Sequence, residues 1–223
     1  DLAFAPSNRT VFGPDDDVSL DVFVKNVSDL MVKVYEVDAR NYYLDHKREL
    51  STDLPLDGLV ANEEQRYSYD DPPVRRTRRN FTFDSLDGRG VWVIEFIGNG
   101  ISSRALIRKG TLEYLSAVTP AGLAVTVVDE GNQLVPGASI DFGGRRYEPG
   151  EDGRILLPFS TRGRQPVILS AGSFSALDHI DFPEESYTLD AGIHLEQEQL
   201  LPDSEATVTV RPVVRASGAP AST

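Results

Sequence analysis

Cysteine is absent from the 223 residues of this chain. The absence excludes disulfides, thiolate nucleophiles, zinc ribbons and cysteine-ligated iron–sulfur clusters. Methionine occurs once, at Met31, so no initiator residue is present, and we expect the chain to be a fragment of a longer protein. Apolar runs are no longer than a strand, so neither a signal peptide nor a membrane-spanning helix is predicted within these residues.

Positive charge is also scarce. Lysine and arginine total 22 residues against 35 aspartates and glutamates, which gives a formal net charge of −13. Proteins that bind nucleic acid gain most of their affinity by neutralising phosphates, so nucleic acid is excluded as an expected partner. The three histidines, His46, His179 and His194, are far apart and belong to no metal-binding motif, so none is assigned a catalytic or metal role.

Apolar residues alternate with polar ones along most of the chain, which is the pattern of half-buried strands. Polar turns separate the strands about every 8–12 residues, as in an antiparallel β-sandwich. The first series of apolar positions runs through Val18–Val24, Leu30–Val34, Tyr67–Tyr69, Phe81–Phe83, Trp92–Phe96 and Ala105–Ile107. A second series follows Gly110 through Leu123–Val127, Ala138–Phe142, Ile155–Phe159, Val167–Leu169, Ile193–Leu195 and Ala206–Val210.

The sequence therefore predicts an all-β chain of two consecutive sandwich domains with almost no linker between them. We place the first domain at residues 1–110 and the second at 111–212, with a linker or disordered tail at 213–223. One stretch, Asn41–Leu50, lacks alternation and contains helix formers, so a short helix is expected there. Turn residues predict hairpins at Asn99-Gly100, at 129–132, at 143–144 and at 151–153.

Clustered carboxylates are the first candidates for chemistry. Asp15-Asp16-Asp17 offers the hard oxygen ligands that calcium prefers, but EF-hand spacing is absent and a solvated loop is the favoured interpretation. The pairs Glu184-Glu185 and Glu196 with Glu198 have the residue type of a glycosidase dyad, yet no motif combines an acid, a base and an oxyanion donor. No catalytic, metal-binding or cofactor-binding residue is predicted.

Two further groups point to binding rather than catalysis. Arg75, Arg76, Arg78 and Arg79 are either an edge strand protected from aggregation by its charge or a docking site for an acidic domain or polyanion. Six aromatic residues could form a platform for sugars, but most fall at core-facing positions, which favours packing. They are Tyr35, Tyr42, Tyr43, Tyr67, Tyr69 and Trp92.

Several segments together resemble the macroglobulin domains of bacterial α-2-macroglobulin-like proteins. The segments are 32–38, 56–59, 90–98 and 104–110, followed by Val128–Ala138 and Asp152–Phe159, which resemble the opening hairpins of the next module. The resemblance covers roughly residues 18–212 and implies a stack of similar domains that form a shell. The Cys-Gly-Glu-Gln thioester of protease-trapping members has no counterpart here, and no bait segment stands out.

The resemblance implies non-catalytic structural modules of a large exported protein located in the periplasm, at the cell surface or outside the cell. Protease trapping or envelope defence would be the activity of the parent. The expected partners are neighbouring domains of the same chain, and proteases through the parent protein. The alternative hypothesis is an immunoglobulin-like adhesin or a carbohydrate-binding accessory module, for which an exposed aromatic row or a calcium site would be required.

Overall fold

A computed structural model describes residues 1–196, 205–216 and the backbone of 219–220. Strands make up most of the described chain, and one short helix interrupts them, so the predicted all-β class is confirmed. The first half contains β1 (Leu2–Phe4), β2 (Val11–Phe12), β3 (Ser19–Lys25), β4 (Asp29–Glu36), α1 (Ala39–His46), β5 (Glu63–Ser68), β6 (Arg76–Thr82), β7 (Gly90–Gly98) and β8 (Ile101–Lys109).

These strands form two sheets that pack face to face. One sheet has the order β1-β3-β6, and the other has the order β2-β8-β7-β4-β5. Alternation explains the packing, because in β3 the residues Leu20, Val22 and Val24 are buried while Ser19 and Lys25 are exposed. The central strand β7 is buried along both faces, since the other sheet covers one face and the segment after α1, with Leu54 and Leu56, covers the other.

The second half forms another sandwich. Its strands are β9 (Glu113–Thr119), β10 (Gly122–Val128), β11 (Ser139–Phe142), β12 (Arg145–Tyr147), β13 (Ile155–Leu157), β14 (Gly163–Ala171) and β15 (Phe174–Phe182). They are arranged in the orders β13-β10-β9 and β12-β11-β14-β15, and the facing side chains of the two sheets share one apolar core. β9 and β15 were absent from the predicted strands.

Beyond Phe182 the chain forms a third, separate sheet. β16 (Tyr187–Leu195) pairs antiparallel with β17 (Val208–Ala216), which pairs with β18 (Ala219–Pro220). The strand predicted at Ile193–Leu195 is part of β16, and the one predicted at Ala206–Val210 is present from Val208, but both belong to neither sheet of the second sandwich. β17 also continues through four residues of the segment predicted as a tail.

The turn residues predicted where the chain reverses better than they predicted which strands pair across the turn. Asn99-Gly100 and Gly143-Gly144 each join paired strands, and all four residues have positive φ, as such tight hairpins require. The hairpin predicted at 129–132 is present as a short reversal, in which Val128 pairs antiparallel with Leu134 and the Asp129 N–H donates to the Gln133 carbonyl at 3.0 Å; the chain then crosses to β11 in the opposite sheet. The hairpin predicted at 151–153 is wrong, because the chain turns there but β12 and β13 lie in different sheets.

Candidate functional site: the junction of the two sandwiches

The helix predicted near Asn41–Leu50 is α1, and it lies at the junction of the two sandwiches. Asp38 caps its first turn, with Oδ1 accepting a hydrogen bond from the backbone N–H of Asn41 at 3.1 Å. Lys47 adopts the left-handed conformation and ends the helix by donating its N–H to the carbonyl of Tyr43. Ala39 and Tyr43, one helical turn apart, form the buried face.

That buried face completes the core of the second sandwich. Tyr43 is fully buried, and α1 packs against β14 and β15. One continuous apolar cluster therefore includes residues of both halves of the chain. Its buried members before Gly110 are Ala39, Tyr43, Leu50 and Val91, and those after it include Leu112, Leu123, Val125, Ile140, Leu157, Val167, Leu169 and Phe182.

A bidentate ion pair fixes α1 to the second sandwich. The Arg40 guanidinium donates from Nε to Oδ2 of Asp141 at 2.9 Å and from Nη2 to Oδ1 at 2.8 Å. The Asp141 side chain is only 7% exposed and that of Arg40 is 32% exposed. Asp141 raises the pKa of Arg40 through these hydrogen bonds. Both partners are held in one geometry, since parallel donor pairs restrict orientation as well as distance.

A second polar group surrounds the hydroxyl of Tyr43. Arg108 Nη2 donates to Glu49 Oε2 at 2.6 Å and to the Tyr43 hydroxyl at 3.1 Å, and that hydroxyl lies 3.3 Å from Glu49 Oε2. Burial raises the pKa of Tyr43 to about 12. The ring can therefore occupy the shared core while its hydroxyl reaches hydrogen-bonding partners at the rim.

The connection between the sandwiches is the short segment 110–112, and its first residue, Gly110, has a constrained environment. Gly110 has φ of +83°, and a Cβ there would lie 2.6 Å from Arg89 Cγ and 2.9 Å from Glu130 Oε1. Arg89 donates to both carboxylate oxygens of Glu130, at 3.1 and 2.7 Å, and the N–H of Thr111 donates to Oε1 at 2.6 Å. The hydrogen bond from Arg89 is the main reason that the pKa of Glu130 falls to about 2.

These contacts join the sandwiches at two separated places. Arg40 and Asp141 connect α1 to β11, whereas Arg89 and Glu130 connect the loop before β7 to the loop after β10. Ala39, Tyr43, Leu50 and Val91 of the first half extend the apolar core of the second sandwich across this junction. The arrangement is suited to fixing the orientation of two domains, because tilting either of them would expose apolar surface and leave a carboxylate unpaired.

The histidines lie at separate places. The His46 ring stacks on that of Tyr42 with centroids 4.3 Å apart at the end of α1. His179 lies in β15, where its carbonyl accepts a hydrogen bond from Tyr114, and His194 lies in β16. Among the described residues, no three histidine, aspartate or glutamate side chains are placed to hold a metal ion.

The acidic candidates are also dispersed. Asp16 accepts from Arg9 and from the N–H of Gly13, and the hydrogen bond from Gly13 is the largest cause of its lowered pKa. Glu184 faces Arg162 across an exposed contact of 3.4 Å. Glu185 accepts from Tyr187, Glu196 follows the end of β16, and Glu198 lies outside the described residues.

The arginine cluster forms an edge strand, as one of its two interpretations predicted. β6 lies at the edge of its sheet, and its guanidinium groups already have acidic or aromatic partners. Arg76 pairs with Asp1 and covers the ring of Phe23, and Arg78 pairs with Asp21. Arg79 pairs with Asp71 and covers Tyr69, whereas Arg75 precedes the strand.

Most of the aromatic candidates belong to the core. Tyr35, Tyr43 and Trp92 are buried, which confirms the packing interpretation for them. Tyr67 and Tyr69 stack on each other with centroids 6.3 Å apart and pack against the core of the first sandwich. No helix in the described parts of the chain has the length and apolarity needed to cross a bilayer.

Sequence analysis missed the residues that join the domains. Arg40 and Asp141 are 101 positions apart, and neither belongs to a motif. Glu130 and Gly110 were within segments that carried the family resemblance, but nothing local indicated that Arg89 would bring them together. The glycine at the boundary of the two predicted domains was the one available signal.

The chain matches one protein family over part of its length and one curated protein over nearly all of it. Residues 30–110 match the family described as "AbpF first immunoglobulin-like domain". Over 219 residues the chain is 36% identical to "Actin-binding protein F" of Dictyostelium discoideum, and the alignment covers 95% of this chain and 9% of that protein. The chain thus spans less than a tenth of the curated relative it matches, and its first sandwich contains a segment similar to an immunoglobulin-like domain.

Solved structures with similar folds come from native α-2-macroglobulin of Escherichia coli. The piece spanning domains MG0-NIE-MG1 aligns at 14% identity and a TM-score of 0.48, covering 81% of this chain and 63% of that one. The piece spanning NIE-MG1 aligns at 14% identity and a TM-score of 0.45, covering 81% and 96% respectively. At 14% identity, these are likenesses of fold alone.

Proposed function

We propose that the chain is a non-catalytic pair of immunoglobulin-like modules that maintains a fixed orientation between neighbouring parts of a long protein. Its direct partners are then adjacent domains of the same polypeptide. The observation that carries this proposal is the apolar cluster at the junction, in which Tyr43 of α1 lies among the core residues of the second sandwich.

Charge and chain connectivity support the same function. Freely swinging domains need a linker, but here β8 ends at Lys109 and β9 begins at Glu113. Rotation of one sandwich against the other would separate Arg40 from Asp141, at a cost of about 2–5 kcal/mol because the Asp141 carboxylate is largely buried. Rigid spacing is therefore the function best supported by the geometry of the junction.

Orientation can be measured directly, because a chain without cysteine accepts spin labels only where cysteines are introduced. Thr82→Cys in β6 and Arg146→Cys in β12 place one label on each sandwich at exposed positions. We expect pulsed electron–electron double resonance to give one narrow distribution of distances between the two labels. Arg40→Ala with Tyr43→Ala should broaden it, since that double variant removes both the ion pair and the shared core side chain.

A matched control separates loss of the junction from loss of charge. Arg66→Ala removes an arginine from an exposed pair with Glu64 in the first sandwich and should leave the distribution narrow. A broad distribution for the labelled chain with its junction intact would contradict the proposal. So would a narrow distribution that persists in the Arg40→Ala, Tyr43→Ala variant.

Association with actin filaments is a second candidate, favoured by the 36% identity to a protein named for binding actin. Actin binding in that relative can lie anywhere in a protein of which this chain matches 9%. Co-sedimentation of residues 1–223 with filaments tests the candidate. Pelleting that saturates at a fixed ratio would support it, whereas recovery of the chain in the supernatant would assign actin binding to other parts of such proteins.

Export and a macroglobulin-like parent stay predictions from the sequence resemblance. Fractionation of the natural source tests them, because recovery outside the cytoplasm agrees with export and recovery inside it does not. The adhesin or carbohydrate-binding alternative lost support when Tyr35, Tyr43 and Trp92 proved to be buried. Binding of the chain to a glycan array would revive that alternative, and the binding surface would then have to be formed by residues other than these three buried rings.

A further inference from the structure

The hairpin of β16 and β17 has one face made entirely of apolar residues. Alternate residues of β16 lie opposite alternate residues of β17 in the antiparallel register. The pairs on this face are Tyr187 with Ala216, Leu189 with Val214, Ala191 with Pro212, Ile193 with Val210 and Leu195 with Val208. Leu189 and Ile193 are each 71% exposed and Val210 is 53% exposed, so nothing in the described chain covers the middle of this face.

The opposite face has the composition of a surface that stays in water. It carries Thr188, Asp190, Gly192 and His194 on β16, with Thr209, Arg211, Val213 and Arg215 on β17, so Val213 is its single large apolar residue. Arg215 donates from Nε to Oδ2 of Asp190 at 3.1 Å across the two strands. One polar and one apolar face is the pattern of a sheet in a sandwich, in which only one face contacts a second sheet.

The second sandwich does not supply that second sheet. Its strands end at Phe182, and the hairpin pairs with none of them. A two-stranded hairpin alone in water is marginally stable, so the apolar face needs a covering layer that lies outside the described residues. Three kinds of occupant would fit: another part of the same polypeptide, a second copy of this chain, or a different protein.

The growth of the sheet favours polypeptide that follows in the same chain. β18 pairs antiparallel with the end of β17, with Ala219 opposite Ala216 and Pro220 opposite Arg215. A strand that continued in this register would run back along β17 and widen the sheet. A unit as long as the second sandwich, β9 to β15, beginning at Tyr187 would extend to about residue 256.

The comparisons point in the same direction. The relative matched over 219 residues is far longer than this chain, and the family matched at residues 30–110 is named for a first immunoglobulin-like domain. We therefore propose that Tyr187–Ala216 forms the opening hairpin of a third β-sandwich, and that its apolar face binds the second sheet of that domain, supplied by polypeptide beyond residue 223. This adds a third domain to the proposed tandem function but concerns a different interface.

Hydrogen exchange in two lengths of the protein tests the proposal. One is the chain of 223 residues, and the other continues about 100 residues further, the usual size of one domain. We expect the amides of β16 and β17 to exchange at least about 100-fold more slowly in the longer protein, as core strands do. Equal exchange in the two lengths would overturn the proposal, as would a natural coding sequence that stops at residue 223.

Paired substitutions within the longer protein distinguish the two faces. Ile193→Asp with Val210→Asp introduces two charges at a cross-strand pair on the apolar face. His194→Asp with Thr209→Asp introduces them at the neighbouring pair on the polar face and is the matched control. The first pair of substitutions should abolish the protection of the β16 and β17 amides from exchange, while the amides of β10 and β14 stay protected. The control pair should leave the β16 and β17 amides protected. Equal effects of both pairs would refute the assignment of the faces.

Sedimentation equilibrium of the 223-residue chain tests the second-copy alternative. A dimer whose formation protects the hairpin equally in both lengths would show that a second copy covers the face, and would overturn the proposal. A monomer at all concentrations, together with protection in the longer protein, is the expected result. Because these readouts concern the hairpin, they can fail while the spin-label distances across Gly110 still support the two-domain function.

Discussion

Replacing Arg40 by alanine should destabilise the chain far more than its partial exposure suggests. The substitution leaves the carboxylate of Asp141, only 7% exposed, without the two donors at 2.8 and 2.9 Å. An uncompensated buried charge costs about 3–5 kcal/mol, and the one-third exposure of Arg40 allows some water to enter, so we expect a loss of about 2–3 kcal/mol. Asp141→Ala should cost less, about 1–2 kcal/mol, because the freed guanidinium can be hydrated.

A double-mutant cycle measured by urea unfolding checks this reasoning. The double variant Arg40→Ala, Asp141→Ala should be less destabilised than the sum of the single variants, with a coupling free energy of about 1–3 kcal/mol. Trp92, the single tryptophan, lies in the core of the first sandwich and reports its unfolding by fluorescence. Circular dichroism follows both sandwiches, and coincident transitions are expected because residues of the first half, Tyr43 among them, complete the core of the second sandwich.

The control is Arg66→Ala, which removes an exposed ion pair and should cost less than about 0.5 kcal/mol. If Arg40→Ala costs no more than this control, the argument from the buried carboxylate is refuted. A coupling free energy near zero between Arg40 and Asp141 would refute it as well.

Three further predictions concern the junction. Gly110→Ala should destabilise the chain by about 1–3 kcal/mol more than Gly58→Ala. Both glycines have φ near +84°, but only at Gly110 would the added Cβ clash with neighbouring atoms, and thermal unfolding of the two variants measures the difference. The pKa of Glu130 is about 2 in the folded chain and ordinarily 4.5, so its contribution to the free energy of unfolding is complete above pH 4.5 and is lost as pH falls toward 2. Glu130→Gln should therefore make the free energy of unfolding, measured with urea, depend less on pH in this range. Because the pKa of Tyr43 is raised to about 12, folding favours its protonated form, and stability should decline from pH 10 to 12; Tyr43→Phe should reduce that decline in the same assay, and an unchanged slope would contradict the assignment.

The sequence was most informative where structure depends on neighbouring residues. Alternation at Leu20, Val22 and Val24 identified β3, and Asn99-Gly100 identified a hairpin, because side-chain period and positive φ are local properties. β15 escaped detection because Asp178 interrupts the apolar alternation between Phe174 and Phe182. β9 escaped because most of its residues are exposed, so its composition is not that of a core strand.

Properties that depend on distant residues could not be predicted. The turn at Gly153 was identifiable, but which sheet the chain would join afterwards depends on long-range pairing. The domain boundary near Gly110 was proposed from strand patterns, whereas the contacts across it involve Arg40 with Asp141 and Arg89 with Glu130. Such pairs have no sequence signature, because each partner is an ordinary charged residue until folding brings the two together.

The parallel pairing of β2 with β8 has a mechanical consequence. β8 leads into Gly110, and two hydrogen bonds tie it to the start of the chain, from the Arg108 N–H to the Thr10 carbonyl and from the Gly110 N–H to the Phe12 carbonyl, both 2.9 Å. Tension that pulls residues 1–12 away from residues beyond 110 acts along both strands in opposite directions. The two bonds are then stretched together rather than one after the other, so this clamp resists pulling in shear.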